Sequence, residues 1–384
     1  MAVLNSFQRL DRVLNGQPFG NGADGAYSSA TIPTLTKDSC SGTATSTTLT
    51  TTSATFANGD ILILHQTRGT GVGQWEINKV ASGGGTTSLT LQVALNYTYT
   101  DSGASQAQAV KILQYTNATV QAGTWTVPSW NGNIGGICPI AIKNVLTITG
   151  GVTVAGSNGA EGLSPATTTG GGFYGGYGRG DNPPGANQGQ QGEGTAGGLV
   201  ATTAASANAG GGGYNSSTGW GAGGSGGHAG AGSAGAADGS GTGGSAGGAG
   251  SDSADLVLMH FGGGGGGASQ NAQGTVGAGG SGAGIVLFFA KSIVISGTIS
   301  ANGGLGGYQG HGQKGGDGAG GSILLVCGTA TLGSNLITAT GGGIGRIAVH
   351  HSGAVTGTTS PSFTDVTDAS LIESGGMLLM GVGS

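Results

Sequence analysis

Charge is scarce in this 384-residue chain: only 7 % of the residues are Asp, Glu, Lys or Arg, and only 5 % are aromatic. With 11 Lys and Arg against 16 Asp and Glu, the formal net charge is −5. Nucleic-acid binding needs a basic footprint, so the composition argues against it. The longest apolar run, Ile285 to Ala290, falls far short of the ~20 residues of a membrane-spanning helix. Three cysteines, Cys40, Cys138 and Cys327, are too few and too dispersed for a disulfide framework or a zinc spacing. They read as small buried hydrophobes. The first residues lack the basic-then-apolar order of a secretory signal.

What fills the chain is glycine. Its 91 residues are about 24 % of the whole, against a usual share near ~7 %, and 68 of them lie between Gly150 and Gly345. So few side chains cannot build one large apolar core in the ordinary way. The glycines keep phase. They recur every third residue at Gly221, Gly224, Gly227 and Gly230, at Gly241 to Gly250, at Gly274 to Gly280 and at Gly312 to Gly321. Three residues per turn is the period of a polyproline-II-type helix. Collagen shares that period but needs abundant proline, and the chain has 8. The expectation is therefore a body of polyglycine-II helices whose bare backbones bond laterally, N–H to C=O. The competing reading is a disordered linker, which glycine content alone favours.

Apolar strands interrupt the tracts. Thr298 to Gly304 lies over Leu336 to Gly342 at an offset of 38 residues, and Val145 to Ala155 resembles Ile293 to Ala301. Repeated segments of this kind return to one wall. Before residue 135, short β-branched or aromatic runs separated by turn residues suggest a compact sandwich or barrel. The expected fold is an all-β N-terminal domain plus a glycine-rich body of polyglycine-II helices interleaved with strands, with almost no α-helix. Residues 1–16 form an amphipathic anchor helix, 17–135 the all-β domain, 136–345 the glycine body and 346–384 a C-terminal β tail. In the first segment Val3, Leu4, Phe7, Leu10, Val13 and Leu14 fall at helical spacing. That stripe either packs on its own chain or docks on another subunit.

No residue pattern indicates catalysis. The Gly223-to-Gly227 match to a nucleophile elbow and the GxGxxG strings are by-products of glycine content. The six histidines, His65, His228, His260, His311, His350 and His351, lack metal-ligand spacing, and no carboxylate pair stands out. The reading is no enzyme, no metal and no cofactor. What stands out is where bulky residues break the glycine: Phe173, Tyr174, Tyr177, Arg179 and Asp181; Tyr214 and Trp220; His260 and Phe261; Tyr308, His311 and Lys314. Such residues cannot fit between glycine backbones. They either form a contact surface at the turns or cap the block against water. Arg179-Gly-Asp181 spells the integrin tripeptide, a cheap match in so much glycine.

With these tracts, strands and aromatic turn clusters, the sequence resembles the polyglycine-sandwich adhesins at the tail-fibre tips of T-even-type bacteriophages. It also resembles glycine-rich bacterial surface proteins, through Phe56 to Gly69, Trp75-Glu76 and Trp130 to Gly136. The resemblance implies a virion fibre or spike protein that binds a host surface protein or glycan through loops between glycine helices. Its N-terminal region would then hold another virion subunit or a second copy of the chain. The expected location is the virion or an extracellular surface, with no secretion signal, no nucleic acid and no membrane insertion. Alternatives are a structural subunit of a surface filament or sheath, and an ice-binding protein.

Overall fold

The computed structural model describes residues 13–14, 16–160, 171–179, 188–216, 219–270, 276–308 and 314–371. It is almost entirely β. The period-two pattern of the early strands closes a small antiparallel barrel, in the order Lys37–Ser41, Thr48–Thr51, Ser88–Leu91, Trp75–Ser82, Ile61–Arg68 and Gln106–Lys111. Leu62 and Leu64 face the interior with Val80, Leu89 and Ala109, while Ile61, Ile63 and Val110 face outward.

After the barrel the chain coils, and each pass lays one parallel strand on each of three walls. On the first wall Leu113–Tyr115 pairs with residues 140–142, and residues 137–142, 285–290, 322–327 and 346–351 stack in register, with Thr364–Thr367 beyond. The second wall stacks Tyr27–Ser29, which precedes the barrel in sequence, then Ala118–Val120 and residues 146–148, 293–294, 330–331 and 355–356. The third stacks Thr124–Thr126, Gly151–Thr153, Thr298–Ser300, residues 337–338 and Ser360. The repeat seen in sequence is this coil: Ile299 pairs with Ile337, and Leu146 with Ile293. The barrel thus ends at Lys111. Residues 113–126, expected within the all-β domain, are the first turn of the coil, and Arg346–His351, expected in a separate tail, is another rung of its first wall.

Burial explains the sequence of each wall. On the first, Val286, Phe288 and Ala290 point into the coil, while Ile285, Leu287 and Phe289 point out against the outer face of the barrel. Both faces are covered, so the strand is a continuous apolar run. The second and third walls have one covered face, and they alternate apolar residues with threonine and serine. Each fully buried Ile, Leu or Phe side chain contributes roughly 1.5–3 kcal/mol. Val13 and Leu14 lie in the layer between barrel and first wall. These two anchor candidates therefore pack on their own chain and are not free to dock elsewhere; Val3, Leu4, Phe7 and Leu10 lie outside the described residues.

The glycine segments are excursions from one corner of the coil, between its third and first walls. Residues 156–160 and 301–308 leave from the third wall, and residues 276–284 and 314–321 lead back into Ile285–Ile295 and Ser322–Thr338. At that corner Gly136, Gly284, Gly321 and Gly345 stack. A methyl on any of the last three would strike the carbonyl oxygen of the glycine before it.

At the centre of the block runs the six-glycine stretch, residues 262–267. Its amides donate in strict rotation to three antiparallel neighbours. Gly262, Gly265 and Ala268 donate to Ala283, Gly280 and Gly277; Gly263, Gly266 and Ser269 to Gly227, Gly224 and Gly221; Gly264 and Gly267 to Glu193 and Gln190. Its carbonyls accept from three further segments, with Gly265 and Ala268 taking Gly176 and Arg179, Gly264 and Gly267 taking Gly210 and Gly213, and Gly263 and Gly266 taking Ala319 and Gly316. Added Cβ atoms at residues 262–267 would strike backbone oxygens of Ala319, Asn208, Tyr174, Gly316, Gly211 and Tyr177 in turn. Every face is closed, so every position is glycine. The next segment out, residues 221–228, keeps Ala222, Ser225 and His228 at one position in three, away from this centre.

Candidate functional site: the two ends of the glycine block

The bulky residues that interrupt the glycine separate into two groups. The wall end holds Phe173 and Phe261, both fully buried, with Trp130 between the barrel and the coil. Their rings meet edge to face, with centroids 5.4 Å apart for Phe173 and Phe261 and 5.6 Å for Trp130 and Phe261. His65 of the barrel stacks on Phe261 at 6.1 Å. The Trp130 indole N–H donates to Glu193 at 2.9 Å, and Arg68 of the barrel pairs with the other oxygen of that carboxylate. Burial pushes the Glu193 carboxyl up from its ordinary range, against the pull of Arg68. Phe173, Phe261 and His260 are therefore not contact residues. Phe173 and Phe261 seal the block onto its base, because an aromatic side chain at that end fills the apolar layer that glycine leaves empty.

A second buried polar group fixes the same end. His228 Nε2 lies 2.7 Å from Asp252 Oδ2 and its Nδ1 2.6 Å from the Gly320 carbonyl, so both ring nitrogens face acceptors. Arg346 Nε is 2.9 Å from the same carboxylate oxygen. The Asp252 carboxyl is held below its ordinary range: His228 and Arg346 outweigh the effect of burial. His260 is buried beside them and pushed down to about 4 by desolvation, as is His65, whose Nε2 lies 2.9 Å from the Met259 carbonyl. Among the described residues no group of three His, Cys, Asp or Glu could hold a metal ion. His350 and His351 diverge, to the Asp255 carbonyl at 2.7 Å and to Asp365 at 2.5 Å. The three cysteines are free and buried, and burial pushes the Cys138 and Cys327 thiols up to about 12. None is poised as a nucleophile.

The far end gathers a different set. The Arg179 amide donates to Ala268 at 2.9 Å, the Ser269 amide to Gly221 at 2.8 Å and the Tyr214 amide to Thr242 at 2.7 Å. Gln188 pairs with Tyr214, and Trp220 with Asp238. These bonds bring Arg179, Tyr214 and Trp220, from three separate segments, to one level of the block. Arg179 is exposed, and Tyr214 and Trp220 are half-exposed. Tyr308 is 58 % exposed on the neighbouring segment, where the Gly315 amide bonds the Gly307 carbonyl at 3.0 Å. Beside it Lys314 pairs with Asp317 at 2.7 Å. Tyr174 is half-buried against the apolar layer at the wall end, and Tyr177 is half-buried. Asp181 and His311 lie outside the described residues.

Sequence reading did not find Arg68, Trp130 and Glu193, or Asp252 and Arg346. Their partners stand 125 and 63 residues apart in the first group, and no local pattern joins them. No helix among the described residues is long and apolar enough to cross a membrane. No family model, no curated protein and no solved structure matches the chain.

Proposed function

We propose that this chain is a non-enzymatic virion fibre or spike protein of a bacteriophage that attaches to a host surface. In this reading the glycine block is a polyglycine-II lattice. The barrel and coil are its base, and the far end is the contact surface. The observation that carries it is the division of bulky side chains between the two ends. Those at the wall are buried in an apolar seal, while Arg179, Tyr214, Trp220 and Tyr308 remain accessible on a backbone-bonded platform. A rigid platform lowers the ordering cost of binding, and Trp, Tyr and Arg are the residues that dominate contact energy. The test is host adsorption by particles carrying Tyr214→Ala, Trp220→Ala and Arg179→Ala together. Loss of adsorption with an unchanged melting temperature supports the reading, and full adsorption defeats it.

One observation favours the ice-binding alternative. Thr119, Thr147, Val294, Thr331 and Thr356 form an in-register rank on the second wall, and Thr126, Thr153, Ser300, Thr338 and Ser360 another on the third. Parallel strands repeat at about 4.8 Å, which makes each rank a regular array of methyl and hydroxyl groups. Thermal hysteresis abolished by Thr147→Lys supports that reading, and its absence in the unaltered chain removes it.

A further inference from the structure

On the barrel, a cavity of about 450 Å³ opens between the hairpin after Lys37–Ser41 and the loop before Gln106–Lys111. Such a volume lies within the range of small-molecule sites. Its lining is unusual for this chain: Ser41, Thr48, Thr50, Thr100 and Ser102 supply hydroxyls, Tyr99 is the one aromatic, and Asp101 is the one charged group. We propose that this pocket binds a neutral sugar residue, with Asp101 as its principal acceptor.

The chemistry selects the ligand class. With no cation in the lining, the pocket repels phosphate and other anions. Its lining side chains are mostly short and hydroxyl-bearing, with no large aliphatic residue to hold a lipid or drug-like molecule. A peptide would add as a strand to a free sheet edge, and the closed barrel has none. What remains is a ligand read by side-chain hydroxyls, each able both to donate and to accept, and by a carboxylate that only accepts. A vicinal diol matches that set. The two nearby carboxylates differ in availability. Asp38 is consumed inside the fold, where it accepts from the Ser53 amide and from the Ser53 hydroxyl, each at 2.7 Å. Asp101 bonds Ser39 and stays half-exposed in the lining, so its remaining acceptor capacity faces the pocket.

The walls are also preset. Thr45, a β-branched residue, takes φ 72° in the hairpin, a conformation that persists only where surrounding bonds impose it. The Thr45 amide is tied to the Leu95 carbonyl at 2.8 Å, and the Ala44 amide to the Thr98 hydroxyl at 3.1 Å. These two bonds hold the hairpin against the opposite loop and sustain the strained turn, so the pocket forms without a ligand.

The experiment is an amide-shift titration of the full chain with glucose, galactose and N-acetylglucosamine, with inorganic phosphate as control. Shifts confined to residues 41–50 and 98–102, with millimolar affinity, are expected for at least one sugar. Asp101→Asn should weaken that binding about tenfold and Thr48→Val severalfold, the latter standing alone if the first fails to fold. Tyr214→Ala with Trp220→Ala should leave it unchanged, which separates this site from the far end of the block. Equal binding of the methyl glycoside identifies the terminal unit of a surface polysaccharide, whereas loss with the glycoside identifies a free sugar. The proposal falls if no sugar shifts these amides, if the shifts survive both pocket substitutions, or if phosphate shifts them equally.

Discussion

The coil and the glycine block share one backbone and are built by opposite rules. In the coil, Val286, Phe288 and Ile323 fill an interior that side chains define, and the backbone bonds only to its two strand neighbours. In the block, residues 262–267 have no side chains at all, and the backbone bonds on every side. Substitution should therefore hurt in opposite directions. The coil suffers when atoms are removed and the block when atoms are added.

The sharpest break of that comparison uses one position from each. Phe288→Ala leaves a cavity in the coil and should cost ~3–5 kcal/mol in urea unfolding. Acid should come next, acting where the barrel meets the block. His65 and His260 are each lowered to about 4 by burial, so the unfolded chain binds more protons below its ordinary histidine pKa. Their stability contribution is whole above about pH 6.5 and is lost as pH falls towards 4, up to ~3 kcal/mol for each. Glu193, raised by burial, opposes this slope. Unfolding free energy measured against pH should fall through that window, and the fall should be shallower in His65→Gln.

Gly265→Ala adds one methyl against the Gly316 carbonyl and should cost ~3 kcal/mol by the same denaturation. Gly230→Ala, whose methyl would find only Ile344 at 3.9 Å, should stay within ~0.5 kcal/mol. Equal costs for the two glycines would mean that the block is not closed by backbone contacts. The smallest effect on stability belongs to Trp220→Ala at the far end, also within ~0.5 kcal/mol.

Much of this was readable from periodicity. Short β-branched and aromatic runs between turn residues marked the strands, and the match of Ile299 with Ile337 marked two rungs of the coil, because only 38 residues separate them. The three-residue phase of the glycines appears in the structure as the rotation of hydrogen bonds around residues 262–267. The full coil was hidden by its largest excursion. Ile137 and Ile285 are neighbours in register, yet the whole of the long glycine insert lies between them. The sequence left contact and capping both open for the aromatic clusters, for a related reason. A segment that leaves the wall and returns has bulky residues at both ends, and glycine on either side looks alike. Nothing local distinguishes Phe261, which seals the base, from Tyr214, which stands at the far end. The pocket on the barrel left no signal, since its hydroxyls come from ordinary turn and strand residues.

The rotation of bonds around the central run has a consequence for how such a block can change length. Shifting one segment by a single residue would turn each of its amides towards the wrong neighbour, and a two-residue shift would do the same. Only a change of three residues restores all the partners, and it must be made in every adjoining segment together. Each such triplet would thicken the platform by one layer of about 9 Å, while the connections at its outer end stay free to vary in length and composition.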